Sequence, residues 1–120
     1  KIVTYNGQRF DIPLVAAFGL QIPPHKSLDL AAILQKQTKI QYKLGDLTRI
    51  NFGLEKLEDG AMAPVLWQRG EQMRVIRYCL SDTAYTAKLY RQIRDTGKII
   101  CPKTEKEICV SLTQDQELFV

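Results

Sequence analysis

Short apolar clusters alternate with polar breaks along the chain, and the spacing inside each cluster sets its expected element. Ile2-Val3-Thr4-Tyr5 is β-branched and aromatic and predicts a strand, broken by Asn6-Gly7. Asn-Gly often turns a β-hairpin, but residues 8–20 do not alternate. Phe10, Leu14, Val15 and Phe18 keep helical spacing instead, with Pro13 suited to a first turn and Gly19 to a helix end. After a proline-bearing loop over 21–25, Ser27 is expected to cap a helix carrying Leu28, Leu30, Ala31 and Leu34. A short helix is expected over 45–52 with Leu44, Leu47 and Ile50 inward, ended by Gly53. Another starts at Asp59-Gly60 and runs through Met62, Val65, Leu66 and Trp67 to Gly70, with Trp67 read as core. The strongest pattern spans 71–94 and is closed by Gly97; Ile99-Ile100-Cys101 and residues 108–112 read as two short terminal strands. The expected class is α/β: mostly helical, one sheet strand at the start that needs neighbours, and short C-terminal strands.

On a helical wheel at about 100° per residue, Arg74, Arg77, Ser81, Lys88, Arg91 and Asp95 share one arc. Ile76, Cys79, Leu80, Thr83, Ala87, Tyr90 and Ile93 cover the other, with Tyr78 and Leu89 at its edge. Asp82 falls inside that apolar arc. A carboxylate facing a core is costly unless it is paired, protonated or metal-bound. Tyr78 lies one turn earlier on the same face. Asp82 therefore asks for a cation, and Arg, Lys, a backbone donor or a metal all answer that demand. Asp11 sits where the first strand feeds a helix, a place that suits capping as well as chemistry. Asn6 alone needs no role beyond a turn.

Composition narrows the class. At 120 residues, 45% hydrophobic and 25% charged, the chain matches one globular domain, not a disordered tail or a disulfide-dense mini-protein. No apolar run approaches the ~20 residues of a membrane-spanning helix. A net charge of +4 and a pI near 9.0 permit a polyanionic partner without requiring one. Cys79, Cys101 and Cys109 are odd in number and His25 is alone, which favours reduced thiols, a cytoplasmic setting and no Cys/His metal site. The chain opens at Lys1 directly into an apolar segment, as a piece of a longer protein would.

Two segments carry a resemblance. Asn6-Gly7-Gln8-Arg9-Phe10-Asp11-Ile12-Pro13 resembles the second exonuclease motif of the DEDD, DnaQ-like family within the ribonuclease H-like superfamily. Tyr78-Cys79-Leu80-Ser81-Asp82 resembles the third motif in its tyrosine-bearing form, DEDDy. The first segment looks most like bacterial predicted exonucleases akin to the proofreading domain of family B polymerases. The likeness spans roughly residues 3–90, so 1–97 would be the family-like region of a single domain and 98–120 a terminal strand extension.

The resemblance implies a ribonuclease H-like fold, incomplete at its N-terminus. It implies a 3′-5′ exonuclease that hydrolyses phosphodiester bonds at single-stranded DNA or RNA 3′ ends with two Mg²⁺ or Mn²⁺ ions about 4 Å apart. By motif, Asp11 and Asp82 would hold metal and Tyr78 would orient or help deprotonate the attacking water. Asn6, Gly7 and Phe10 would shape the pocket for the terminal nucleotide. The family's first motif, Asp-x-Glu, does not precede Asn6 in this chain; the sole Asp-x-Glu is Asp115-Gln116-Glu117. With two of four expected carboxylates, this polypeptide alone is expected to be inactive or weak. The alternative is a non-catalytic ribonuclease H-like module that binds nucleic acid or protein. No membrane partner is expected, and an exposed sheet edge could pair two copies into a homodimer. Arg9, Lys36, Lys39, Lys43, Arg49, Lys56 and Arg69 flank the motifs, and Tyr42 and Phe52 are candidates for stacking on bases.

Overall fold

The structure, a computed structural model, describes residues 1–55 and 60–112. Strand β1 (Ile2–Thr4) leads to α1 (Asp11–Ala17), a 3-10 turn (Pro24–Lys26), β2 (Ser27–Asp29), α2 (Leu30–Thr38) and α3 (Leu44–Phe52). A second 3-10 turn (Gly60–Met62) opens α4 (Ala63–Gln68), followed by α5 (Gln72–Thr96), β3 (Lys98–Ile100) and β4 (Glu107–Cys109). Asp59, Lys56 and the Asp115-Gln116-Glu117 triplet lie outside the described residues.

β1 and β2 pair in parallel, with Val3 opposite Leu28 and Thr4 opposite Asp29. Parallel strands need a crossover, and α1 lies in the one between them. The expectation of one strand without a nearby partner is thus corrected. So is the expected cap: Ser27 opens a fully buried strand, not a helix. Buried parallel strands need not alternate, and this one shows no period. The cap of α2 is Asp29, whose carboxylate accepts the backbone N–H groups of Ala31 at 3.0 Å and Ala32 at 3.4 Å.

The core gathers Leu28, Leu30, Ile33 and Leu34 from β2 and α2, Leu44 and Leu47 from α3, Leu89 and Ile93 from α5, and Ile99 from β3. α3 ends as expected at Gly53, whose φ of 67° suits a residue without Cβ. The terminal strands form an antiparallel hairpin, Ile99 opposite Ile108. Two side-chain amides fasten the C-terminal segment by imitating a strand neighbour. Asn51 Oδ1 accepts the Ile100 N–H at 2.7 Å while its Nδ2 donates to the Ile100 carbonyl at 3.1 Å. Gln37 does the same for Ser111, accepting at 3.0 Å and donating at 2.6 Å.

α5 departs from its wheel. Thr86, Leu89 and Ile93 are its buried residues. Ile76, Cys79, Leu80 and Thr83, placed on the inward arc by periodicity, are exposed. The core reaches only the C-terminal half of this helix, so the apolar stripe continues past the surface that covers it. Trp67 is corrected likewise: it is 49% exposed, and Leu66 is the buried residue of α4. α1 buries none of its residues, and Phe18 beyond it is 86% exposed. Among the described residues no helix is long and apolar enough to cross a membrane.

Candidate active site

The loop from β1 to α1 is fixed by three local devices. Asn6 takes a φ of 66°, a left-handed conformation that Asn tolerates better than most residues. Its carbonyl accepts the N–H groups of Arg9 and Phe10, which turns the chain into α1. Gly7 is pressed on Thr4: a Cβ there would stand 2.2 Å from Thr4 Oγ1, and the Gly7 N–H donates to that same oxygen. Gly7 thus serves the packing of the loop, is buried, and does not line the cleft described next. Asp29 supplies the third device by accepting the Asn6 N–H at 2.8 Å and the Gln8 N–H at 3.2 Å.

A cleft of about 1530 Å³ opens between this loop, the segment around α3, and α5. Asn6, Phe10 and Asp11 line one side, and Tyr78 and Asp82 line another. The two motif segments, distant in sequence, therefore share one cavity. Asp11 is exposed on the first turn of α1; Asp82 is half-buried, with Oδ1 sealed from solvent. Thr86 Oγ1 donates to the Asp82 carbonyl at 2.8 Å, and Thr83 Oγ1 to that of Cys79 at 2.9 Å. These hydroxyls are thereby committed to the helix backbone. Gly60 faces Tyr78 closely: a Cβ on it would lie 2.8 Å from the phenol oxygen. The 3-10 turn thus sets the room available to the Tyr78 hydroxyl, a constraint that no local pattern announces.

Phenols occupy the remaining depth. The Tyr5 hydroxyl donates to the Tyr42 carbonyl, and burial, then the nearby Asp29 and Asp46 carboxylates, raise its pKa, so it stays neutral. Tyr42 lines the cleft but is buried, and its hydroxyl lies 3.1 Å from Cys101 Sγ. Burial raises the Tyr42 pKa further. This corrects Tyr42 as a base-stacking side chain; Phe52 instead carries Lys88 Nζ 5.3 Å over its ring. Of the flanking cations, Lys43 and Arg49 line the cleft, whereas Arg9, Lys36, Lys39, Arg69 and also His25 do not. Asp46 and Glu55, not singled out in the sequence, complete the acidic lining, and Asp46 pairs with Arg49 at 3.5 Å.

Among the described residues no three His, Cys, Asp or Glu side chains come together as a metal cage. The donors that Asp11 and Asp82 bring to the cleft are hard carboxylate oxygens. Mg²⁺ is commonly held by one or two carboxylates with water and substrate phosphate oxygens completing its octahedron. Carboxylate oxygens are the donor chemistry such an ion takes, and Oδ1 of Asp82 is shielded from bulk water.

No curated protein and no solved structure matches the chain closely enough to count as similar. A family model described as RNase H superfamily matches residues 1–94, which takes in β1, both motif segments and nearly all of α5. Nucleases of that superfamily generally use divalent metals. On that match, the chain belongs to the RNase H superfamily.

Proposed function

We propose that this domain is a DEDDy-type 3′-5′ exonuclease module for single-stranded nucleic-acid ends, weak as this polypeptide because it carries two of the family's four carboxylates. The observation that carries the reading is the shared cleft: Asp11 from the β1–α1 loop and Tyr78 and Asp82 from α5 line one cavity. Asp11 and Asp82 would hold Mg²⁺ or Mn²⁺. When bound, such an ion supplies positive charge at a phosphoryl oxygen and makes a coordinated water more acidic. Tyr78 would hold the attacking water by its hydroxyl, in the space bounded by Gly60. Phe10, exposed at the cleft edge, would meet the terminal base, and Lys43 and Arg49 the strand's phosphates.

The test is Mn²⁺-dependent shortening of labelled single strands, with free and 3′-blocked ends. Loss in Asp82→Ala, reduction in Tyr78→Phe and resistance of the blocked strand are expected. Undiminished shortening in Asp82→Ala sinks the assignment.

Asp46 and Glu55 share the cleft, yet among the described residues no three His, Cys, Asp or Glu side chains converge to hold a metal, and this favours a second reading, a non-catalytic binding module. It predicts strand retention that weakens as salt rises, with no metal-dependent cleavage.

A further inference from the structure

We infer that Asp29 is a positioning residue of this site: one buried carboxylate clamps the β1–α1 loop to the start of α2 and thereby fixes where Asp11 stands. Its importance for metal rests on the function proposed above; the clamp itself is independent of it.

Asp29 ends β2 and is only 4% exposed. Such burial is costly for a carboxylate without several donors. Four backbone N–H groups supply them. Ala31 and Ala32 belong to its own helix, and a capping side chain explains both. Asn6 and Gln8 do not; they reach it from 23 and 21 residues away. Helix capping therefore leaves half of this hydrogen-bond set unexplained.

The division between the oxygens matters. Oδ1 accepts Asn6 together with Ala31 and Ala32, and Oδ2 accepts Gln8. Asn6 and Gln8 bracket Gly7, whose carbonyl accepts the N–H of Ile12 in the first turn of α1. Asp11 immediately precedes Ile12. The carboxylate thus holds the two amides on either side of the residue that anchors the helix bearing Asp11. α1 buries none of its residues, so packing gives it little other support. Orientation of Asp11 depends on this clamp because no buried side chain of the helix takes its place.

Substitution separates the two jobs. Serine is also a favoured N-cap but is too short to keep both loop amides, so Asp29→Ser retains the cap and releases the clamp. Asp29→Asn keeps an acceptor at Oδ1 and sets an amide donor against the Gln8 N–H. The experiment is backbone-amide hydrogen exchange on the full chain, with Mn²⁺ alone titrated as a paramagnetic probe of the Asp11 and Asp82 amides. In Asp29→Ser, exchange at Asn6 and Gln8 should accelerate on the order of tenfold or more. Exchange at Leu89 and Ile93 should stay as in the wild type. Mn²⁺ broadening should weaken at Asp11 and persist at Asp82.

Unchanged exchange at Asn6 and Gln8 overturns the proposal. So does equal acceleration at Leu89 and Ile93, because the residue would then be a general stabiliser. Should Asp29→Ser fail to fold, Asp29→Asn carries the same decision at Gln8. Absence of Mn²⁺ broadening in the wild type defeats the metal reading of the cleft and leaves the exchange result to decide the clamp.

Discussion

The two halves of α5 share one sequence pattern and meet opposite environments. In the C-terminal half Leu89 is fully buried against α3 and the hairpin, and Ile93 is nearly so. In the N-terminal half Met73, Ile76 and Leu80 repeat at helical spacing, yet Leu80 is 64% exposed. α1 and α4 belong with this second half, since Phe10, Leu14, Val65 and Trp67 are exposed as well. The candidate site lies where the two environments meet, with half-buried Tyr78 within the exposed stretch and Asp82 between it and the buried one. A periodic apolar stripe reports a face able to be covered; only the packing of other elements reports whether it is.

The sharpest way to break this contrast is a matched pair of truncations. Leu89→Ala should cost about 3 kcal/mol in urea unfolding, while Leu80→Ala should stay within about 0.5 kcal/mol. Equal costs would mean that the exposed half is packed in solution after all.

The second largest effect belongs to the buried half and is read by pH. Burial pushes the Cys101 thiol up, but hydrogen bonds from the Tyr42 hydroxyl and from Thr104 and the Lys103 backbone outweigh it, leaving a pKa of about 7 against an ordinary 9.0. A pKa depressed on folding adds stability that is complete above the unfolded value and lost as pH falls through the folded one. Stability should therefore rise from about pH 7 to about pH 9 by on the order of 2 kcal/mol, and Cys101→Ser should flatten that rise. A wild-type profile that is already flat contradicts the Tyr42–Cys101 arrangement.

Smaller still is the amide tie between α3 and β3. Asn51→Ala leaves the Ile100 N–H and carbonyl without their side-chain partner and should cost about 1–2 kcal/mol by chemical denaturation. An unchanged midpoint would show that water replaces the tie.

At the site the contrast sharpens, because the effect moves from stability to chemistry. Gly60→Ala should change stability by less than about 1 kcal/mol. It should nevertheless reduce Mn²⁺-dependent strand shortening, since its Cβ crowds the Tyr78 hydroxyl. Full activity in that variant would remove the 3-10 turn from the site.

Much of the local architecture was legible. Ile2-Val3-Thr4 reads as a strand because its β-branched side chains suit nothing else as well, and Gly53 and Gly97 mark helix ends where the backbone turns left-handed. β2 was not legible, being three residues long and buried throughout, with no alternation to detect. Ser27 and Asp29 are both good caps, and only pairing of Ser27 with Ile2 assigns the cap to Asp29. In the site, Asn6, Phe10, Asp11, Tyr78 and Asp82 stood out by motif. Asp29 and Gly60 did not, because each acts on residues far away in the chain.

What the sequence alone determined is local: where helices start and stop, which stripe of each is apolar, and which oxygen-bearing side chains are available for chemistry. Such features depend on neighbours three or four positions apart, and those neighbours are written in order. Tertiary structure alone decided which stripes are covered, that Asp11 and Asp82 line one cleft, and that a buried carboxylate ties the loop beside them. Burial and long-range hydrogen bonds depend on which elements meet, and that choice is made by the packing of the whole chain.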